Sequence, residues 1–168
     1  MTLTTHAIVG AAVASLVPQY PVAGFVLGFA SHFAIDSIPH WAEGKLLQSV
    51  TKDGNDLLTR RITKGKALIH DLLLVGGDSL FGFAGSILIL FYFFHVPLYI
   101  VLLGAFAGQM PDGLQFIYFN FHPKFMDGLQ RFHSRIQTEY TNVGYLGIEA
   151  GLIFAVVVLG ISGVFMLQ

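Results

Sequence analysis

The stretch that decides the fold is residues 67–94, ALIHDLLLVGGDSLFGFAGSILILFYFF. It is apolar over most of its length, and its only histidine and acidic residues are His70, Asp71 and Asp78. A helix of about 20 apolar residues can cross the hydrocarbon core of a bilayer. The stretch therefore predicts a transmembrane helix, and further apolar runs lie at 3–17, 21–38, 98–119 and 145–167.

These runs predict an all-α integral membrane protein, a single domain with a bundle of about five transmembrane helices. Loops 41–66 and 120–144 join the longer segments. Within the second loop, apolar residues recur at helical spacing over 125–136, which predicts a cytoplasmic amphipathic helix. No basic stretch precedes segment 3–17, so we expect a helix of the mature chain there rather than a signal peptide.

The overall composition supports a membrane protein and excludes several classes. Hydrophobic residues make up 54% of the chain, charged residues 11%, and the mean hydropathy is +0.68. A soluble domain carries about 25% charged residues, so this chain cannot cover a water-facing surface. The net charge of −1 argues against nucleic-acid binding, and the absence of cysteine excludes disulfides and thiolate metal sites. Membrane lipid is the expected partner, and a homo-oligomer stays open.

The basic residues predict the orientation. All nine lysines and arginines lie between 45 and 66 or between 124 and 135, and the other connections carry none. Five alternating spans place both basic loops on the same side of the membrane, and the positive-inside rule makes that side cytoplasmic. The sequence thus predicts an inner-membrane protein with a cytoplasmic N-terminus.

Ionisable side chains inside apolar segments are rare, because each costs about 2.5–3.5 kcal/mol at the centre of a membrane helix. Such residues are therefore candidates for function. This chain has an unusual set of histidines and aspartates of this kind, together with one histidine on the predicted amphipathic helix: His6, His32, Asp36, His40, His70, Asp71, Asp78, Asp112 and His133.

The densest motif is Ser31-His32-Phe33-Ala34-Ile35-Asp36, followed by Pro39-His40. His32 and Asp36 are four residues apart, so they share one face of a helix. An imidazole and a carboxylate at this spacing can hold a divalent metal ion. The alternative is a hydrogen-bonded His–Asp pair that fixes helix packing.

The predicted depth of these residues brings them together. With alternating spans, the ends of segments 21–38 and 98–119 and the starts of segments 3–17 and 67–94 all face the cytoplasm. Nearly the whole polar set therefore lies in one leaflet. Several carboxylates in one place repel each other unless protons or cations neutralise them. We therefore expect a bound divalent ion, with zinc favoured and magnesium or manganese as alternatives.

Short motifs resemble a known family. Thr5-His6-x-x-x-Gly10, Ser31-His32-x-x-x-Asp36 and Pro111-Asp112 are similar to motifs of the YdjM-type inner-membrane metal-dependent hydrolase-like family. The family's P-D-x-D-H and H-R-G-x-T-H-S runs have no counterpart here, and the motif order differs. The His-x-x-x-Asp helix is also faintly similar to that of zinc-dependent phospholipases C. The resemblance implies hydrolase chemistry.

The leading hypothesis is a metal-dependent hydrolase that acts at the cytoplasmic leaflet on a phosphoester such as a lipid head group. The candidate metal ligands are His6, His32, Asp36, Asp78 and Asp112. The candidate catalytic residues are His133, His40 and Asp71. The candidate substrate-binding residues, among them two arginines that can hold a phosphate, are Arg131, Arg135 and Gln115.

Two other classes stay open. A cation- or proton-coupled transporter would also place ionisable residues inside the membrane, but it predicts polar residues through both leaflets. The run Leu88-Ile89-Leu90-Phe91 and segment 145–167 offer almost none. A structural membrane protein with a buried His/Asp or metal network is the third class.

Overall fold

The computed structural model describes residues 1–38, 46–51 and 59–136, and these confirm the all-α class. The helices, in chain order, are α1 (Leu3–Ala14), α2 (Pro21–Asp36), α3 (Lys66–Ser86), α4 (Leu98–Phe121) and α5 (Asp127–Ile136). A π-helical segment, Ile87–Phe93, continues α3, and one 3₁₀ turn, Lys124–Met126, precedes α5. The predicted fifth span, 145–167, lies outside the described residues.

Helix ends follow local sequence signals. α1 begins after Thr2, whose side chain accepts a hydrogen bond from the Thr5 N–H at 3.2 Å, as a helix N-cap does. α2 begins at Pro21, a residue favoured in the first helical position because its missing N–H would have no partner there. Both helices are shorter than the apolar runs 3–17 and 21–38, because each run ends in turn residues before a proline.

Two helical segments are long and apolar enough to cross a membrane, Lys66–Phe93 and Leu98–Phe121. α1 and α2 are apolar but have 12 and 16 residues. At 1.5 Å per residue they are about 18 and 24 Å long, against about 30 Å for the hydrocarbon core. The five-span arrangement is therefore not established by the described helices.

α1 is the central helix, and it touches its neighbours almost backbone to backbone. A methyl group added at Gly104 of α4 would lie 2.6 Å from the Ala14 side chain, and one added at Gly108 would overlap the carbonyl oxygen of His6. A methyl group added at Gly28 of α2 would lie 3.2 Å from the Ala107 side chain, which is a looser but still tight approach. These small residues permit the short interhelical distances that membrane helices commonly use.

The contacts also give the helix directions. α2 runs antiparallel to α1, since Gly24 packs beside Ala14 and the ring of His32 stacks on that of His6. α3 runs parallel to α1, with Asp78 beside Thr4 and Gly85 beside Ile8. α4 runs antiparallel to α1. The start of α1, the end of α2 and the C-terminal half of α4 therefore meet at one end of the bundle.

The described part of the first basic loop is held together by backbone hydrogen bonds. Val50 and Ile62 form an isolated antiparallel bridge, reinforced by hydrogen bonds from Thr51 N to Arg61 O and from Thr63 N to Ser49 O, both 2.8 Å. Val50 and Ile62 pack against a small apolar cluster that joins α4 to the 3₁₀ turn: Tyr118, Phe119 and Met126. These contacts attach the described part of the loop to the C-terminal end of α4.

Candidate metal centre

Five side chains from four helices converge at this end of the bundle. We call them the His/Asp cluster: His6 from α1, His32 and Asp36 from α2, Asp112 from α4 and His133 from α5. The two histidines of α1 and α2 meet because the small residues beneath them let the helices approach closely. The histidine of α5 arrives because this short amphipathic helix folds back over the bundle with its buried face inward.

All three imidazole rings of the His/Asp cluster lie close to the carboxylate of Asp36. The Nε2 atom of His6 lies 3.3 Å from Asp36 Oδ1. The Nε2 atoms of His32 and His133 both lie 3.2 Å from Asp36 Oδ2. The α-amino nitrogen of Met1 is 3.5 Å from Oδ1.

Asp112 faces the same three nitrogens from the other side. Its Oδ1 atom is 3.7 Å from the Nε2 atoms of His32 and His133, and its Oδ2 atom is 4.0 Å from His6 Nε2. Its side chain is 29% exposed, whereas the other four cluster side chains are at most 1% exposed. Asp112 therefore marks the side from which solvent reaches the His/Asp cluster.

The hydrogen bond from His32 to the backbone fixes its tautomer. His32 Nδ1 lies 2.8 Å from the carbonyl oxygen of Gly108. Because a carbonyl oxygen only accepts, Nδ1 carries the proton and a neutral His32 ring directs the Nε2 lone pair into the His/Asp cluster. His133 Nε2 lies 3.1 Å from His32 Nε2. Two ring nitrogens at that distance need a shared proton or a shared cation between them.

The distances suit a single cation. Ligand atoms about 2.0–2.2 Å from one ion are about 3.0–3.5 Å apart at tetrahedral or adjacent octahedral positions. The nitrogen–nitrogen and nitrogen–oxygen distances across the His/Asp cluster run from 3.1 to 4.0 Å. Two overlapping groups, His6–His32–Asp112 and His32–Asp36–His133, each place their ligand atoms within 4.8 Å of one another. These buried groups can hold a metal ion. The backbone bond at Nδ1 of His32 is the second contact that metal-binding histidines usually make.

Asp78, predicted as a ligand, is not brought into the His/Asp cluster. Its carboxylate accepts hydrogen bonds from the backbone N–H groups of Leu3 and Thr4 and from the Thr4 hydroxyl, the last at 2.6 Å. It therefore caps the N-terminus of α1, where unpaired N–H groups and the helix dipole favour an anion. The partner of this carboxylate inside the apolar segment is therefore the end of a neighbouring helix.

Asp71, predicted as catalytic, is also used elsewhere. Its carboxylate accepts from the backbone N–H groups of Gln48 and Ser49 at 2.8–3.0 Å and from the Ser49 hydroxyl at 2.6 Å. His70 Nδ1 lies 3.0 Å from the same carboxylate. Among the described residues, none of these partners belongs to the His/Asp cluster. Asp71 fixes residues 46–51 to the start of α3.

The predicted substrate-binding residues do not face the His/Asp cluster. Arg131 and Arg135 are exposed, and they form no ion pair within the described parts of the chain. Each is two residues from His133, about 160° around α5, so they point away from it. Gln115 is half-buried and has no hydrogen bond to any described residue. His40 lies outside the described residues.

Sequence reasoning missed two features of the centre. One is the carbonyl of Gly108, which no side-chain pattern can reveal. The other is Gln130, which is fully buried one turn before His133 and has no hydrogen-bond partner for either amide atom among the described residues. Its spacing from His133 was a signal, since residues three apart share a helix face.

The fold and the site define a helical protein with a candidate His/Asp metal centre. No family model, curated protein or solved structure matches the chain. The resemblance of short motifs to the YdjM-type family therefore has no support from similarity over the chain.

Proposed function

We propose that this chain is an integral membrane protein of the inner membrane that hydrolyses a phosphoester, such as a lipid head group, at a metal centre near the cytoplasmic leaflet. The observation that carries the proposal is the convergence of three imidazole Nε2 atoms on two carboxylates at one end of the bundle. Ionisable residues inside membrane helices usually mark such functional sites.

The membrane location is supported by the surface of α3. Large apolar side chains cover its outward faces, and the most exposed of them are 71–75% accessible: Leu73, Leu80 and Phe81. Contiguous exposed apolar surface on a protein marks contact with lipid or with another protein. In the proposed arrangement, segment 145–167 is a further span, and the basic loops face the cytoplasm.

The ligand set favours zinc. Imidazole nitrogen suits zinc and other late transition metals, whereas magnesium prefers a set of oxygens alone. With three nitrogens and two carboxylates, the His/Asp cluster departs from the all-oxygen set. Zinc, when bound, would polarise a phosphoryl oxygen and lower the pKa of a nearby water molecule.

The remaining chemistry belongs to the protein's own residues. His6, His32, Asp36 and His133 are closed off from solvent, so they hold and orient the centre. Asp112 is the partly exposed member, and in this proposal its carboxylate accepts a proton from a water molecule that enters there, which leaves the three imidazoles and Asp36 as the metal ligands. A substrate therefore approaches past Asp112.

A second candidate function is a structural metal centre. Structural sites are usually closed, whereas catalytic sites keep an open position, and four of the five side chains of the His/Asp cluster are buried. The partial exposure of Asp112 favours catalysis. Turnover by the metal-loaded protein separates the two candidates.

The test uses the full chain purified in detergent, stripped of metal and reloaded with zinc, manganese or magnesium. The substrates are p-nitrophenyl phosphate, bis-p-nitrophenyl phosphate and mixed micelles of anionic phospholipid. We expect zinc-dependent release of product, reduced at least about 100-fold by His32→Asn.

The matched control for this variant is His95→Asn. His95 is exposed, at the far end of the bundle, and has a positive φ of 55° that asparagine also tolerates. The control should keep full turnover. Tight zinc binding with no turnover on any of the three substrates would support the structural centre instead.

A further inference from the structure

Gln130 and His133 share an unusual environment on α5. Their exposed fractions are 0% and 1%, and they are three residues apart, so they lie on the same buried face. Both amide atoms of Gln130 and the Nδ1 atom of His133 are buried without a hydrogen-bond partner among the described residues. A buried polar group left unpaired costs about 1–3 kcal/mol, so native proteins pair nearly all of them.

The outer nitrogen of His32 has a hydrogen-bond partner, whereas those of His6 and His133 have none among the described residues. His32 donates from Nδ1 to a backbone carbonyl, which leaves its Nε2 lone pair for the site. His133 presents its Nε2 atom to the same site, yet its Nδ1 atom has no such acceptor among the described residues. The only arrangement in which a neutral His133 ring binds a cation through Nε2 has the proton on Nδ1.

We infer that Gln130 is the positioning residue for His133. Its amide oxygen accepts the Nδ1 proton, directly after a side-chain rotation or through one water molecule, and so keeps the Nε2 lone pair directed at the His/Asp cluster. Residues one turn apart on a helix have β-carbons about 5–6 Å apart, which places the glutamine amide within reach. This inference deepens the proposed metal centre and depends on it for the affinity measurement described next.

Three substitutions test this role. Gln130→Leu removes the acceptor while filling a similar volume, and Gln130→Glu keeps an acceptor oxygen at the same place. We expect the leucine variant to bind zinc about 10–100-fold more weakly, the usual loss for an outer contact of a metal-binding histidine. The glutamate variant should bind zinc at least as tightly as the unchanged protein. Gln109→Leu serves as the control, because Gln109 is buried and bonded to Leu3 O and Ser79 instead.

A purely structural role predicts a different pattern. If Gln130 only fills space, replacing an unpaired buried amide by leucine should leave zinc affinity unchanged and should stabilise the metal-free fold. Gln130→Glu would then be the harmful change, because it buries a charge. Equal zinc affinity in the leucine variant and the unchanged protein would overturn the inference.

A second readout separates this inference from the proposed function. In the zinc-loaded protein, a His133 ring bound through Nε2 carries its proton on Nδ1, and the ¹H–¹⁵N resonance of that group, assigned from its absence in His133→Gln, reports whether the proton is hydrogen-bonded. We expect a slowly exchanging Nδ1–H in the unchanged protein and in Gln130→Glu, and a rapidly exchanging one in Gln130→Leu. Equal protection in the leucine variant would overturn the inference. If the protein binds zinc and this signal follows Gln130 but no substrate is turned over, the proposed hydrolase function fails and this inference stands.

Discussion

Asp36 and Asp78 lie in apolar helices at the same end of the bundle, yet they have different surroundings. Asp36 lies 3.2–3.3 Å from three imidazole nitrogens. Asp78 accepts from two backbone N–H groups and a hydroxyl at the start of α1. The donors around Asp78 are fixed by the fold, whereas those around Asp36 are titratable groups that also bind metals.

The difference shows how to separate structural from functional acids in a membrane helix. A carboxylate whose donors are backbone N–H groups completes a helix end or a loop, as Asp71 also does for residues 46–51. A carboxylate whose neighbours are imidazoles, with ring nitrogens 3.1 Å from each other, needs protons or a cation for the group to be stable. The comparison therefore makes opposite predictions for the two aspartates.

The largest expected effect is on metal affinity in Asp36→Asn. Removing a carboxylate ligand should weaken zinc binding by more than the about 10–100-fold seen for outer contacts, because a direct charge is lost. Elemental analysis and zinc competition with a chelating dye, both on detergent-purified protein, measure it. Asp78→Asn is the matched control and should bind zinc normally. Equal losses in both variants would remove the distinction between the two aspartates.

The next effect concerns the stability of the metal-free protein, and it is expected at Asp78. Asp78→Ala should lower the free energy of unfolding of the metal-free protein by about 1–3 kcal/mol, because the N–H groups of Leu3 and Thr4 lose their acceptor. Asp78→Asn keeps one acceptor oxygen and should lose less. Unfolding in mixed detergent micelles measures the difference. An alanine variant as stable as the unchanged protein would show that α1 needs no cap from α3.

Much of the fold could be predicted from the sequence. The apolar runs located α1 to α4, and the spacing of residues 125–136 located α5, because burial of apolar side chains dominates helix placement. Helix ends were less predictable, since α1 and α2 stop short of their apolar runs. The length of each run alone could not show whether a helix spans the membrane.

The candidate site could be predicted only in part. His6, His32, Asp36 and Asp112 were recognised as ligand candidates from residue type and shared depth, and the structure places them together. The predicted depth in the membrane could not distinguish Asp78 from these ligand candidates, because an aspartate that caps a helix and one that binds a metal can lie at the same depth. Which atom meets which depends on helix rotation, and the glycine contacts of α1 and α4 that set this rotation are visible only in three dimensions.

The smallest expected effect is local. Asp71→Asn removes the charged acceptor that holds Gln48 and Ser49, so residues 46–51 should open more often while the bundle and the His/Asp cluster stay intact. The loss of about one net hydrogen bond, near 1.4 kcal/mol, corresponds to about tenfold faster amide exchange in this segment. Hydrogen–deuterium exchange followed by mass spectrometry measures it, with peptides of α4 as the internal reference. Faster exchange throughout α4, or a loss of zinc binding, would mean that Asp71 supports the same site as Asp36. In that case, having backbone N–H donors rather than imidazole neighbours would no longer distinguish a structural aspartate from a functional one.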